Sequence, residues 1–233
     1  MGLKEELKIR SALSKQQKGK TEEAMKMYEE LYAADVIRAA YMLPFTTRLL
    51  KEGGEQNFLR VKEILKKAQK APDLDTAYRI RLFVNYSAAE YKLGDMDGAI
   101  ANMENIASKN KTGDIYTVLG YLYVEAGDLE KAISFNEEGL AYDDEDPIVL
   151  DNLGQAYYRL AGDKEKARSY FEKAISIKDN QIDTLWFLSR YDVEEGKTEE
   201  AIKKLEKALQ GNFSVLNYAT KAKVEEELKQ LKK

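Results

Sequence analysis

Apolar residues return every three or four positions along nearly the whole chain, the spacing of amphipathic helices and not of strands. The pattern predicts helices in pairs. The first pair is 3–18, with an apolar stripe of Leu7, Ile9, Ala12 and Leu13, and 21–33, with Ala24, Met27, Tyr28 and Leu31. Between them Gly19 takes the left-handed position after a helix, and Thr21 is expected to cap the next one. The second pair is 36–52 and 56–70. Pro44 lies inside its first helix and is expected to kink or break it near residues 40–43, because Pro removes a backbone donor and clashes with the preceding turn. Gly53-Gly54 ends that helix.

Further pairs follow at 75–92 and 96–108, 113–126 and 129–141, 147–161 and 164–177, and 181–195 and 198–210. The fifth pair carries one extra residue before its turn glycine, Gly162. A last amphipathic helix is expected over roughly 214–231, with Leu216, Ala219, Ala222, Leu228 and Leu231 on one face and Lys and Glu on the other. It has the polar outer face that the open end of a stacked array requires.

Inside this pattern one line recurs. Gly120 to Gly127 to Ala132 is echoed by Gly154 to Gly162 to Ala167 and by Ser189 to Gly196 to Ala201, so the alanines stand about 34 residues apart. A fixed period of this size marks a helical repeat. The small residues let paired helix axes approach closely, and large ones such as Tyr123, Tyr157, Phe171 and Leu205 fill the gaps between units.

The unit resembles the tetratricopeptide repeat, a helix–turn–helix of 34 residues. The matches are Leu119-Gly120, Leu153-Gly154 and Leu188-Ser189, then Tyr123 and Tyr157, the turn glycines, Ala132, Ala167 and Ala201, and finally Ala174 and Ala208. Gly139 replaces a packing Ala, Glu90 and Asp192 stand where Tyr is expected, and the usual Pro near the end of each unit is mostly absent. The resemblance implies an all-α superhelix, a single array over 1–233 with repeats at 3–34, 36–70, 75–108, 113–146, 147–181 and 182–213 and a capping helix at 214–231.

It also implies a binding face. In the resembled family the first helix of each pair lines a concave groove. Its contact positions fall here on Arg81, Val84, Asn85, Tyr91 and Lys92 of the third unit. The fourth unit offers Asp114, Thr117, Tyr121, Val124 and Glu125, and the fifth Asp151, Asn152, Gln155, Tyr158 and Arg159. Asp183, Trp186, Arg190 and Glu194 follow in the sixth. Aromatic side chains bring contact area at low entropic cost, and the amides of Asn85 and Asn152 suit an extended peptide backbone. A clamp for a terminal carboxylate needs two Lys, two Asn and an Arg over three units. The places in units four to six hold Thr117, Tyr121, Asn152, Asp183 and Phe187, and only the Asn matches.

Composition narrows the function further. The chain has no Cys and no His, which removes thiolate chemistry, the commonest general base and the commonest metal ligand. No phosphate loop or nucleophile elbow is present, so no catalytic residue, metal or cofactor is expected. Residues 71–180 hold 21 acidic against 12 basic side chains, which disfavours a nucleic-acid groove there. No apolar run reaches the length of a membrane span, and no signal peptide is visible at the start. A cytoplasmic location is therefore expected, with the trimmed soluble part of an anchored or exported protein as the alternative. The expected role is a non-catalytic interaction module that binds a peptide or helix of another protein in its groove. Homo-oligomeric self-association, suggested by the apolar helix at 36–50, is the alternative.

Overall fold

A computed structural model describes residues 2–233 as thirteen α-helices, and no strand occurs among them. They fall into two compact units that divide after Ile106. The first holds α1 (Leu3–Gln17), α2 (Thr21–Ala33), α3 (Ala39–Glu52), α4 (Glu55–Ala68), α5 (Thr76–Lys92) and α6 (Met96–Ala107), the last ending at the boundary. The second holds α7 (Gly113–Ala126), α8 (Leu129–Tyr142), α9 (Pro147–Gln155), α10 (Lys164–Ile177), α11 (Ile182–Glu194), α12 (Thr198–Leu209) and α13 (Lys221–Leu231).

The turns follow their glycines. Gly19, Gly94, Gly127, Gly162 and Gly196 all have positive φ, the conformation that closes a helix and that a side chain resists. The next helix in several pairs opens on an Asp cap: Asp128 accepts the N–H of Lys131, and Asp163 that of Lys166. The acidic loop 143–146 does the same work, with Asp146 accepting from Ile148 and Val149.

Five expectations about the first and last elements are corrected. Thr21 is the first residue of α2 and makes no side-chain cap; the cap position falls on Lys20. Leu7 is exposed, and the inner stripe of α1 rests on Ile9 and Ala12. The third helix starts at Ala39 and not at 36, because the carboxylate of Asp73 accepts the N–H groups of Ala39 and Ala40 at 2.9 and 3.1 Å. It then runs unbroken through Pro44. Tyr41, Met42, Leu43 and Phe45 around the proline are all fully buried, so packing holds a helix that the local backbone disfavours.

The last helix starts at Lys221 rather than 214. The stretch before it is pinned as irregular chain by Asp183. Its carboxylate accepts from the side chain of Asn217 and from the backbone N–H groups of Tyr218 and Ala219. Thr220 then caps the helix by accepting from Lys223.

The extra residue of the fifth pair is absorbed inside the helix. Residues Ala156–Ala161 form a π-helical turn, in which each bond spans five residues instead of four and one residue more fits the same rise. The closing bond shows the insertion directly. In α7 Asp128 N–H donates to Tyr123 O, five residues back, whereas Asp163 N–H donates to Tyr157 O, six back.

The second unit is held by an aromatic and aliphatic core. Phe171, Phe187 and Tyr218 form two stacked contacts with ring centroids 4.9 and 5.4 Å apart, and Trp186 meets Phe187 edge-on at 4.8 Å. Ala132, Ala167 and Ala201 are fully buried where second helices approach first ones. Two of the departures from the repeat pattern are buried carboxylates with ion-pair partners: Glu90 meets Lys62 of α4 and Asn102 of α6, and Asp192 meets Lys204 of α12.

Candidate partner-binding face

The first helices α7, α9 and α11 of three successive pairs, with the connections at 178–181 and 212–217, enclose an open cavity of about 290 Å³. Thr117, Val118 and Tyr121 come from α7, Ile148, Asp151 and Asn152 from α9, and Ile182 and Asp183 from α11. Lys178, Asn180, Gln181, Asn212, Ser214, Leu216 and Asn217 complete the lining from the connections.

Four of the lining residues are fixed by hydrogen bonds between these elements. Asn152 is buried, and its Nδ2 donates to Thr117 O at 3.0 Å and to Asn136 Oδ1 at 3.1 Å, tying α9 to α7 and α8. Gln181 donates to Pro147 O and fixes the connection before α11 against the start of α9. Asp151 accepts from Gln155 Nε2 at 2.7 Å and from Thr184 Oγ1 at 2.5 Å. Asp183 holds the segment 217–219, as above.

The two carboxylates set the electrostatics. Burial pushes Asp151 well above the ordinary carboxylate range. The nearby charge of Asp183 adds to this, while the bonds from Thr184 and Gln155 and the field of Arg159 pull back. Burial likewise raises Asp183, against the bonds from Ala219, Asn217 and Tyr218, with Glu125 adding to the rise.

The cavity brings together Thr117, Tyr121, Asp151, Asn152 and Asp183 of the residues expected to contact a partner. Glu125 and Arg159 form an ion pair beside it, and Arg159 also reaches Gln155 and lies 3.9 Å over the Tyr218 ring. Gln155 is fully buried in that network. Tyr158 is half-buried, edge-on to Phe187 and Tyr191. Trp186 is buried beneath the C-terminal segment, with Tyr218 edge-on and Lys223 over its ring. Arg190 lies over the same ring and pairs with Glu227 of α13.

The first unit's candidates lie outside the cavity. Asn85 is buried and donates to Leu43 O, Thr46 and Thr47, so its amide ties α5 to α3. Arg81 is exposed, and Tyr91 and Lys92 are half-buried with the Lys92 ammonium 4.6 Å from the Tyr91 ring centre. Asp151 and Asp183 were legible as face positions from the repeat register. Their burial and the role of 212–217 in walling the cavity had no local signal, because both depend on how the C-terminal segment folds back.

A profile of the tetratricopeptide repeat matches residues 113–146 and 149–181, the units that build most of this cavity. These two stretches are tetratricopeptide repeats. No curated protein matches it by sequence. Among solved structures, PilF of Pseudomonas aeruginosa is 15% identical, with 97% of each chain covered and a TM-score of 0.63. A MamA protein is 23% identical over 77% of this chain and 94% of its own, TM-score 0.58. A thermophilic tetratricopeptide protein of Thermus thermophilus is 18% identical over 76% of this chain and 98% of its own, TM-score 0.57. At these identities the likeness is one of fold: an all-α tetratricopeptide solenoid, an architecture that serves generally as a scaffold for protein–protein interaction. Among the described residues no helix is long and apolar enough to cross a membrane.

Proposed function

We propose that the chain is a non-catalytic scaffold that binds an extended segment of a partner protein on the face formed by α7, α9 and α11. The observation that carries this reading is the 290 Å³ cavity on the first helices of three successive repeats, with apolar, amide and carboxylate groups converging on it. A concave site with a few placed polar groups on a rigid scaffold is the usual form of a recognition site.

Self-association has less to stand on. Of the apolar residues at 36–50 that suggested it, Val36, Tyr41, Phe45, Leu49 and Leu50 are buried within the first unit, and Ile37 and Ala40 are half-buried.

The test is a pull-down from host lysate with the wild type beside a Thr117→Trp, Ile148→Glu double variant, both checked by circular dichroism. These changes fill the cavity and charge its exposed rim without removing any inter-helix bond named above. A partner held by the wild type and released by the folded variant supports the site. A partner held equally by both moves binding to another surface.

A further inference from the structure

We infer that the cavity of the second unit receives a basic side chain, a lysine or arginine of the partner's extended segment, which enters with its stem along the apolar lining and its cationic head against Asp151 and Asp183. This rests on the proposed peptide-binding role and names the chemistry that the site would select.

Three features of the cavity support it. First, the lining divides into two kinds of surface: Val118, Ile148 and Leu216 offer a hydrocarbon wall, and Asp151 and Asp183 offer two buried carboxylates. A lysine or arginine is itself so divided, apolar along the stem and charged at the tip. Second, acceptor capacity is left over. An ionised carboxylate has about four lone-pair directions, and Asp151 uses two of them, on Gln155 and Thr184. Third, the local charge is unbalanced. Arg159, the cation whose field reaches Asp151, is already paired with Glu125. Lys178 at the rim makes no ion pair with either carboxylate among the described residues. Asp151, Asp183 and Glu125 thus outnumber Arg159 and Lys178. Without a ligand, burial makes this site hold a proton more firmly than an ordinary carboxyl does; a ligand's cation would take the proton's place.

The neutral alternative is that both carboxylates are purely structural. They do anchor α9 to α11 and the C-terminal segment to α11, but anchoring alone predicts no preference among ligand charges.

The test is a nuclear magnetic resonance titration of the full chain with three capped amino acids: N-acetyl-lysine, N-acetyl-norleucine and N-acetyl-glutamate N-methylamides. Norleucine keeps the stem and lacks the charge. The expected result is that the backbone amides of Asp183, Asn217 and Tyr218 shift with the lysine probe, at an affinity at least about tenfold tighter than norleucine. Lysine binding should tighten as pH rises and the carboxylates ionise, and Asp151→Asn should reduce the advantage of the lysine probe over norleucine about tenfold. Equal or tighter binding of the norleucine or glutamate probe would overturn the inference while leaving the peptide-binding role intact. So would the absence of any shift at these amides up to the solubility limit of the lysine probe. Because the probe comparison uses the wild type, the result does not depend on the variant's folding.

Discussion

The carboxylate of Asp183 accepts the backbone N–H of Ala219 at 2.9 Å. With the bonds from Asn217 and Tyr218, one side chain near the start of α11 holds the whole lead-in to α13. Asp183→Ala removes the acceptor of all three bonds and leaves the donors, the buried Ala219 N–H among them, without this partner, at about 1–3 kcal/mol for each group that stays dry. The expected outcome is faster amide hydrogen exchange over 214–231 with protection retained in α7 to α10. Uniform loss of protection across the second unit would mean that α13 is integral to its core and is not a separately latched element.

Asp151 and Asp183 both bind a proton more tightly in the folded chain than an exposed carboxyl does. The sign follows from linkage. The native state carries more protons than the unfolded chain once pH exceeds the ordinary carboxylate value of about 4, so the stability these groups contribute is present at low pH and is lost as pH rises through their folded-state titration. Exposed pairs such as Glu195 with Arg168 and Lys197 act in the opposite sense, but solvent screens them. Urea melts of wild type and Asp151→Asn across this pH range should show a decline for the wild type that the variant flattens. Parallel curves would assign the pH dependence elsewhere.

Gly154 faces the ring of Phe171. A Cβ built there would stand 2.5 Å from a ring carbon, closer than any side chain tolerates. Phe171 is fully buried and stacked on Phe187, so it has nowhere to retreat. Gly154→Ala should therefore cost about 1–3 kcal/mol in spite of alanine's better helix propensity. Thermal unfolding would show it; a gain in stability would mean that the ring relocates freely.

Buried Glu90 of α5 and half-buried Lys62 of α4 form a pair at 3.2 Å. Breaking it from one side, by Lys62→Met, leaves a buried carboxylate with only Asn102 as a donor, and a loss of about 3 kcal/mol is expected. Replacing both residues, by Lys62→Met with Glu90→Leu, should recover most of that. Chemical denaturation of the wild type, the single and the double variant tests this, and equal losses in the two variants would show that the unpaired Glu90 carboxylate carries no penalty.

Much of this was legible in the chain. The helix pairs, their turn glycines and the alanine ladder are set by local spacing, and local spacing is what sequence displays. The elements that departed from expectation are those decided by distant groups. Asp73 sets where α3 begins from more than thirty residues away, and the buried surroundings of Pro44 override its local preference. At the other end, Asp183 keeps 214–220 out of the helix that its apolar periodicity suggests. The candidate site divides in the same way. Register alone placed Thr117, Tyr121 and Asn152 on one face. Whether a residue on that face stays open, like Thr117, or is covered by α13 and its lead-in, like Trp186, depends on a fold-back that no local pattern encodes.

The π-helical turn at 156–161 separates two measures that coincide elsewhere in the chain. Counted in residues, the interval from Ala132 to Ala167 is one longer than that from Ala167 to Ala201; measured along the helix axis, the surplus vanishes into one wide turn. A one-residue insertion has thus been stored in the last turn of a helix without lengthening a loop. The partner face inherits its pitch from the stacked helices and not from the letter count, so a ligand that spans units by distance would meet an unbroken rhythm where an aligned sequence skips a beat.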